Sequence, residues 1–389
     1  MKTFRKTLAV ILLAAAVVFA AGCTKPEDPN NGGNNNGGGN NNGGDTPQGP
    51  TVPTGAVGGV FTINEHGGKV YFSRGNLQYM AVGGANGDAN GTASSGENVG
   101  GTWRFAENQW DYVGNAAGNT APSATQSNWI DLFGWGTSGY NHDANCYQPW
   151  STSTSSSDYY AYGNSTYNLY DQTGMADWGY NAISNGGDAE NSGWHTLTGD
   201  EWDYVINQRG ISIRWVKAKV NGVNGLVLLP DNWTASIYAL NNTNSSSADY
   251  TSNTITAEDW ANVLEANGAV FLPAAGIRYG TSAYYYGASS TYVGSYWSSS
   301  YGSSNYALTV LIDDSYLYTN DFSNRDSGSS VRLVRSAVNI DATASPAEGG
   351  TVSGAGIYGI GSTCTLTATA NTGYTFINWT RDDEEVSTE

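Results

Sequence analysis

The chain has 389 residues and a formal net charge of -18, with 39% hydrophobic and only 13% charged residues. That acidity, with no cluster of Lys and Arg beyond the first few residues, argues against a nucleic-acid binder, because phosphate recognition needs grouped cations. The length suits about two or three domains, and 51 glycines with 26 tyrosines favour a loop-rich, β-leaning protein over a helical bundle.

The N-terminus reads as an address. Lys2, Arg5 and Lys6 form a positive start. Residues 8–21 form an apolar run too short to span a bilayer, which needs about 20 residues. Ala20, Ala21, Gly22 and Cys23 follow. Small residues directly before a cysteine resemble a bacterial lipoprotein cleavage box, although Ala20 stands where that box prefers Leu. The resemblance implies a mature chain starting at an acylated Cys23. Each buried methylene of its lipid contributes roughly 0.8 kcal/mol, so several acyl chains anchor stably. An ordinary secretory signal cut nearby is the alternative. Residues 24–55 are an Asn/Gly-rich tract that can bury no core and reads as a flexible tether. Lys25, Glu27 and Asp28 resemble the acidic surface-export signal of Bacteroidetes-type lipoproteins. The expectation is a signal peptide over 1–22, a tether over 23–55, and a lipid-anchored protein exposed on the outer membrane.

From residue 56 to 336, short β-like runs alternate with Gly/Asn/Ser turns. Residues 59–63 and 69–72 predict strands on either side of a turn at 64–68. Residues 225–230 and 269–273 are continuous apolar runs that end at Pro230 and Pro273, as buried strands do. Two helices are predicted. Thr198 and Glu201 fit a capping box, with Trp202, Val205 and Ile206 on one face and Gly210 as a stop. Thr256 opens the second, with Trp260, Val263 and Leu264 at the same spacing and Gly268 as its end. Both tryptophans are expected in the core.

These segments resemble known families. Residues 194–210, WHTLTGDEWDYVINQRG, are similar to the helix signature of the formylglycine-generating-enzyme/sulfatase-modifying-factor group, with Leu197, Glu201, Trp202 and Tyr204 matching and Thr198 replacing a proline. More closely, VYFSRGNLQY, TWRFAENQWDYVG, WIDLFGWGTSGYN, YNAISNGG, NGLVLLPDNW, FLPAAGIR, YWSSS and SVRLVR together resemble the Fibrobacter succinogenes major paralogous domain of Bacteroidetes surface proteins. That resemblance implies an α+β, C-type-lectin-like domain over 56–336, with two main helices flanking small twisted sheets. The enzymes of the first group use paired cysteines in this C-terminal part to bind copper, and residues 268–336 contain no cysteine. His66, His142 and His195 are scattered, without metal-ligand spacing or a partnered nucleophile. Asp313 and Asp314 would point to opposite faces of a strand. No catalytic residue, metal or cofactor is expected.

Residues 279–329 are rich in Tyr, Ser, Gly, Asn and Asp. Tyr offers large rigid contact area, while Ser, Gly and Asn offer adjustable hydrogen bonds. The candidate ligand-binding residues are Tyr284, Tyr286, Tyr292, Tyr301, Ser303, Asp313, Tyr316, Tyr318, Asn320, Asp321, Asn324 and Asp326. Tyr316 and Tyr318 share one face if that segment is extended. The region also resembles the variable region of lectin-fold proteins diversified by retroelements.

The tail alternates with period two over 364–370, and a turn and strand follow over 373–379. It is similar to the divergent repeat first known from internalin B, here incomplete, and is expected as a short all-β module over 337–389. Cys364 is expected as a packed residue, unbridged to Cys146. The reading is therefore a non-catalytic surface lipoprotein. Its partner is an external glycan or protein, it meets the membrane only through its lipid, and it binds no nucleic acid. An enzyme of the formylglycine-generating type and a structural, fimbria-like assembly component are the alternatives.

Overall fold

The computed structural model describes residues 17–24, 52–81, 92–160, 168–169, 174–284, 293–360, 362–381 and 384–387. It divides the chain into two compact units. The larger comprises Val52–Ala337 with Gly359–Gly361, and the smaller comprises Met1–Thr51, Val338–Tyr358 and Ser362–Glu389.

The larger unit is built from several small sheets. Ala56–Thr62 pairs antiparallel with Lys69–Ser73, which pairs in turn with residues 334–337. The turn between the first two strands is tied by Asn64, whose side-chain oxygen accepts from the amides of His66 and Gly68. The apolar runs flagged by their prolines form adjacent strands: Val223–Leu228 lies between Trp215–Val220 and Val270–Pro273. Gly294–Tyr301, Tyr306–Ile312 and Leu317–Asn324 make a three-stranded antiparallel sheet. Ile277–Tyr279 pairs with Ser282–Tyr284 in a short hairpin.

Both predicted helices start where their caps lie. Thr198 accepts from the Glu201 amide at 3.2 Å and Glu201 reaches back to the Thr198 amide at 2.9 Å. Thr256 accepts from the Asp259 amide at 3.0 Å. Trp202, Val205, Ile206, Trp260 and Leu264 are fully buried. Gly268 ends the second helix with a φ of 85°, a left-handed conformation that costs little without a Cβ.

The fold class differs from the expected one. Among the described residues strands account for 39%, spread over several small sheets, and helices for 12%, which overturns an α+β, C-type-lectin-like domain with two main helices. The physical reason lies outside the two helices, which run about as far as their stops predict. Gly199–Asp203 passes directly into a π-turn over Tyr204–Gln208. Ala257–Asp259 likewise passes through a π-turn over Trp260–Leu264 and a last turn that ends at Gly268. The intervening Gly, Asn and Ser turns then hand the chain back to strands. Among the described residues no helix is long and apolar enough to cross a membrane.

Aromatic residues fill the cores. One cluster gathers Trp103, Phe133, Trp135, Tyr160, Trp178, Trp194 and Trp297. Four of the five ring N–H groups find backbone carbonyls: Trp135 donates to Ser298, Trp178 to Thr137, Trp194 to Gly186 and Trp297 to Phe133, while that of Trp103 finds none. This satisfies the polar edge of a buried indole.

In the smaller unit, Val17–Thr24 pairs parallel with residues 340–345 and antiparallel with Thr375–Arg381. Thr375–Arg381 also pairs with Glu384–Ser387. Gly350–Ser353 pairs with Thr367–Ala370. The strand predicted over 364–370 is thus confined to its second half.

Candidate functional site

Among the described residues, the tryptophans of the larger unit are buried or half-buried. The exposed aromatics among them are Tyr279, Tyr284, Tyr306, Tyr316, Tyr318 and Phe322, and every one lies in the stretch from 279 to 322. They stand in three pairs. Tyr279 and Tyr284 meet edge to face with ring centres 5.6 Å apart. Tyr306 and Phe322 meet edge to face at 6.4 Å. Tyr316 and Tyr318 stack at 5.4 Å with planes 21° apart.

Each pair stands on a hairpin held from beneath by a buried cation. Arg278 donates to the carbonyls of Gly280 at 2.6 Å, Leu132 at 3.1 Å and Ser151 at 3.1 Å, under the Tyr279–Tyr284 hairpin. Arg325 donates to Ser303 O at 2.7 Å and Tyr160 O at 2.9 Å, at the turn that presents Tyr306. Lys217 donates to the carbonyls of Asp313 at 2.7 Å and Asp314 at 3.0 Å, and also to that of Ser246. Burial pulls the Lys217 ammonium below its usual range, against the opposing pull of Asp313, Asp314 and Asp249. Loop carbonyls bonded to a buried cation are fixed, so these rings are presented with little freedom left to lose on binding.

The three pairs do not form one continuous face of a sheet. Leu308 pairs with Phe322 and Leu311 with Tyr318, with a register shift between them. Leu308 and Leu311 are three residues apart, so their side chains leave opposite faces, and their cross-strand partners follow them. The extra residue in Leu317–Asn324 therefore turns Tyr318 and Phe322 to opposite sides.

The sequence-predicted site residues divide accordingly. Tyr284, Tyr316, Tyr318, Asn320 and Asn324 are exposed. Tyr301 and Ser303 are half-buried, with the Arg325 guanidinium 5.1 Å from the Tyr301 ring centre. Asp321 is half-buried, and burial raises its carboxyl above the usual range. Asp313 is a turn former: its carboxylate accepts from the amides of Ser315 at 2.7 Å and Tyr316 at 2.6 Å. Asp313 and Asp314 sit in this turn after the strand ends at Ile312, rather than within a strand. Asp326 is buried and accepts from the Ser156 hydroxyl, which makes it part of the framework. Tyr286 and Tyr292 lie outside the described residues. Cys23 lies in the Val17–Thr24 strand. Tyr279, Tyr306 and Phe322 belong with the exposed set although the sequence reading named none of them. Alternation could not have found Phe322 from Tyr318, because a spacing of four predicts a shared face and the register shift between them breaks it.

Chemistry elsewhere is muted. His142 is half-buried against the Gly136 carbonyl at 2.7 Å, and desolvation of its ring lowers its pKa. Burial pushes the Cys146 thiol up, away from the thiolate a nucleophile needs. Cys364 is unbridged and half-buried, 3.6 Å from the Gly354 carbonyl. Among the described residues, no three His, Cys, Asp or Glu side chains converge as metal ligands. The smaller unit holds an apolar cleft of about 440 Å³ lined by Val338, Ile340, Cys364, Leu366, Trp379 and Val386.

Comparison with known proteins gives two local likenesses. No curated protein and no solved structure matches the chain. Residues 236–334, which include the three aromatic pairs, match a family described as Domain of unknown function (DUF8237). Neither matching family is the sulfatase-modifying-factor or Fibrobacter-type family that the motifs resemble. Residues 340–389 match the Divergent InlB B-repeat domain, so the C-terminal segment is similar to an internalin-type repeat.

Proposed function

We propose that this protein is a cell-surface lipoprotein that recognises an external glycan or protein through the aromatic hairpins of residues 279–324 and performs no bond-making. One observation carries the reading: among the described residues the exposed aromatic rings are confined to this stretch, while the large aromatic cluster around Trp135, Trp178 and Trp297 is buried. Tyrosine rings on pinned turns, with exposed Asn320 and Asn324 between them, suit stacking on a sugar face or filling a partner's pockets. The internalin-type likeness of residues 340–389 supports a surface setting. The lipoprotein box at 20–23 supplies an anchor, and its cleavage would release the strand residues that precede Cys23. The Fibrobacter-type motif resemblance belongs to this proposal as a likeness of sequence.

The test is a glycan-array and cell-binding screen of the wild type beside two variants, Tyr316→Ala/Tyr318→Ala and Tyr279→Ala/Tyr284→Ala. At least one double variant should lose about tenfold or more of the signal, since two exposed ring contacts contribute at least this much. Undiminished binding by both would remove residues 279–324 from the site. Turnover of any compound by the purified protein would overturn the non-catalytic reading.

A further inference from the structure

The three aromatic pairs differ in their electrostatic surroundings. The Tyr316–Tyr318 pair stands at the end of a turn that carries Asp313 and Asp314, and Asp249 acts on the same buried ammonium as those two carboxylates. Three carboxylates, set against Lys217 and against the Lys219 that also acts on Asp249, leave a net negative charge near the two exposed rings. The chain as a whole reinforces it, with 34 acidic against 16 basic residues. The tip is also firmly built. Asp313 caps two amides, its own amide donates to Tyr316 O at 3.1 Å, and Lys217 bonds two successive carbonyls. The rings are parallel and too close for a flat group to enter between them, so a ligand lies on an outer face. A group that is flat, cationic and weakly hydrated gains both from the ring face and from the field of the carboxylates, and guanidinium is that group. A sulfated or uronic-acid glycan is repelled by the same field.

We propose that the Tyr316–Tyr318 tip docks an arginine-bearing segment of a partner protein, with the guanidinium laid on an outer tyrosine face within the negative field of Asp313, Asp314 and Asp249. This deepens the recognition reading above, on which it rests, by giving the partner its chemistry. Lys217 acts as a positioning residue that fixes the turn.

The experiment immobilises the full chain and measures retention of an octa-arginine peptide, an octa-lysine peptide and a neutral cello-oligosaccharide at about 150 mM salt, where distant surface charges are screened. The expected result is octa-arginine retained about fivefold better than octa-lysine, with this preference lost in Tyr316→Ala/Tyr318→Ala and kept in Phe322→Ala. The double variant must keep the wild-type unfolding midpoint, as truncation of exposed rings allows. Equal retention of the two peptides, or a preference that survives the double variant, would reduce the effect to bulk charge and overturn the inference. Failure to retain octa-arginine would also overturn it. Oligosaccharide retained by the wild type and lost in the double variant would overturn it too, while leaving the recognition reading intact.

Discussion

Tyrosine and tryptophan do opposite work in two regions of the larger unit. Around Trp135, Trp178 and Trp297 the rings are fully buried, pack against one another, and give each indole N–H to a carbonyl. From Tyr279 to Phe322 the rings stand outside in pairs, and the buried partner is a cation holding the backbone below them. In the first region an aromatic ring is the load the fold buries. In the second, burial is done by Arg278, Arg325 and Lys217, and the rings stand at the surface. Residue type alone therefore does not separate framework from display; what lies beneath the ring does.

The largest expected effect separates the two regions directly. Trp297→Ala should cost about 3–5 kcal/mol, since it empties a packed site and removes one of the two donors to the Phe133 carbonyl, leaving only the Ser329 amide. Phe322→Ala should stay within about 0.5 kcal/mol. Urea unfolding of both reads the difference, and similar costs would dissolve the distinction.

The second effect sharpens the buried side through pH. Asp131 is fully buried, and desolvation pushes its carboxyl up to about 6 despite hydrogen bonds from Asn119 and Val113. A carboxyl raised above its ordinary value of 3.8 adds stability that is complete below that value and is lost as pH rises through about 6. Between about pH 4 and pH 7, the wild type should therefore lose on the order of 2–3 kcal/mol relative to Asp131→Asn. A stability difference that stays constant with pH would mean that water reaches Asp131.

The smallest effect tests the display side. Lys217→Met keeps the apolar stem and removes the ammonium that bonds the carbonyls of Asp313 and Asp314. Global stability should move by about 1 kcal/mol or less, while amide exchange at Ser315 and Tyr316 rises about tenfold as the turn loosens. Unchanged exchange would show that the Asp313 cap holds the tip without the lysine.

What the sequence could tell was local. The Thr198–Glu201 capping box, the Thr256 cap, the Gly268 stop and the proline-ended strands each depend on residues within a few positions of one another, and each is found where expected. The spacing of two between Tyr316 and Tyr318 also allowed their rings to share a side, where they stack. The fold class was misread because a good cap and an apolar triplet announce a helix within a few residues, while the many short strands that outweigh the two helices depend on pairing partners far away in the chain. The candidate site was legible only in part for a similar reason. Asp326 is drawn inside by Ser156, 170 residues away. Lys217 grips a turn 96 residues away. A single extra residue in the Leu317–Asn324 strand sends Tyr318 and Phe322 to opposite sides. Composition determined that this chain would be acidic, turn-rich and generous with tyrosine. Only packing between distant segments decided which of those tyrosines would face the solvent, because a side chain's environment is made by whichever strand and whichever buried charge the fold brings beneath it.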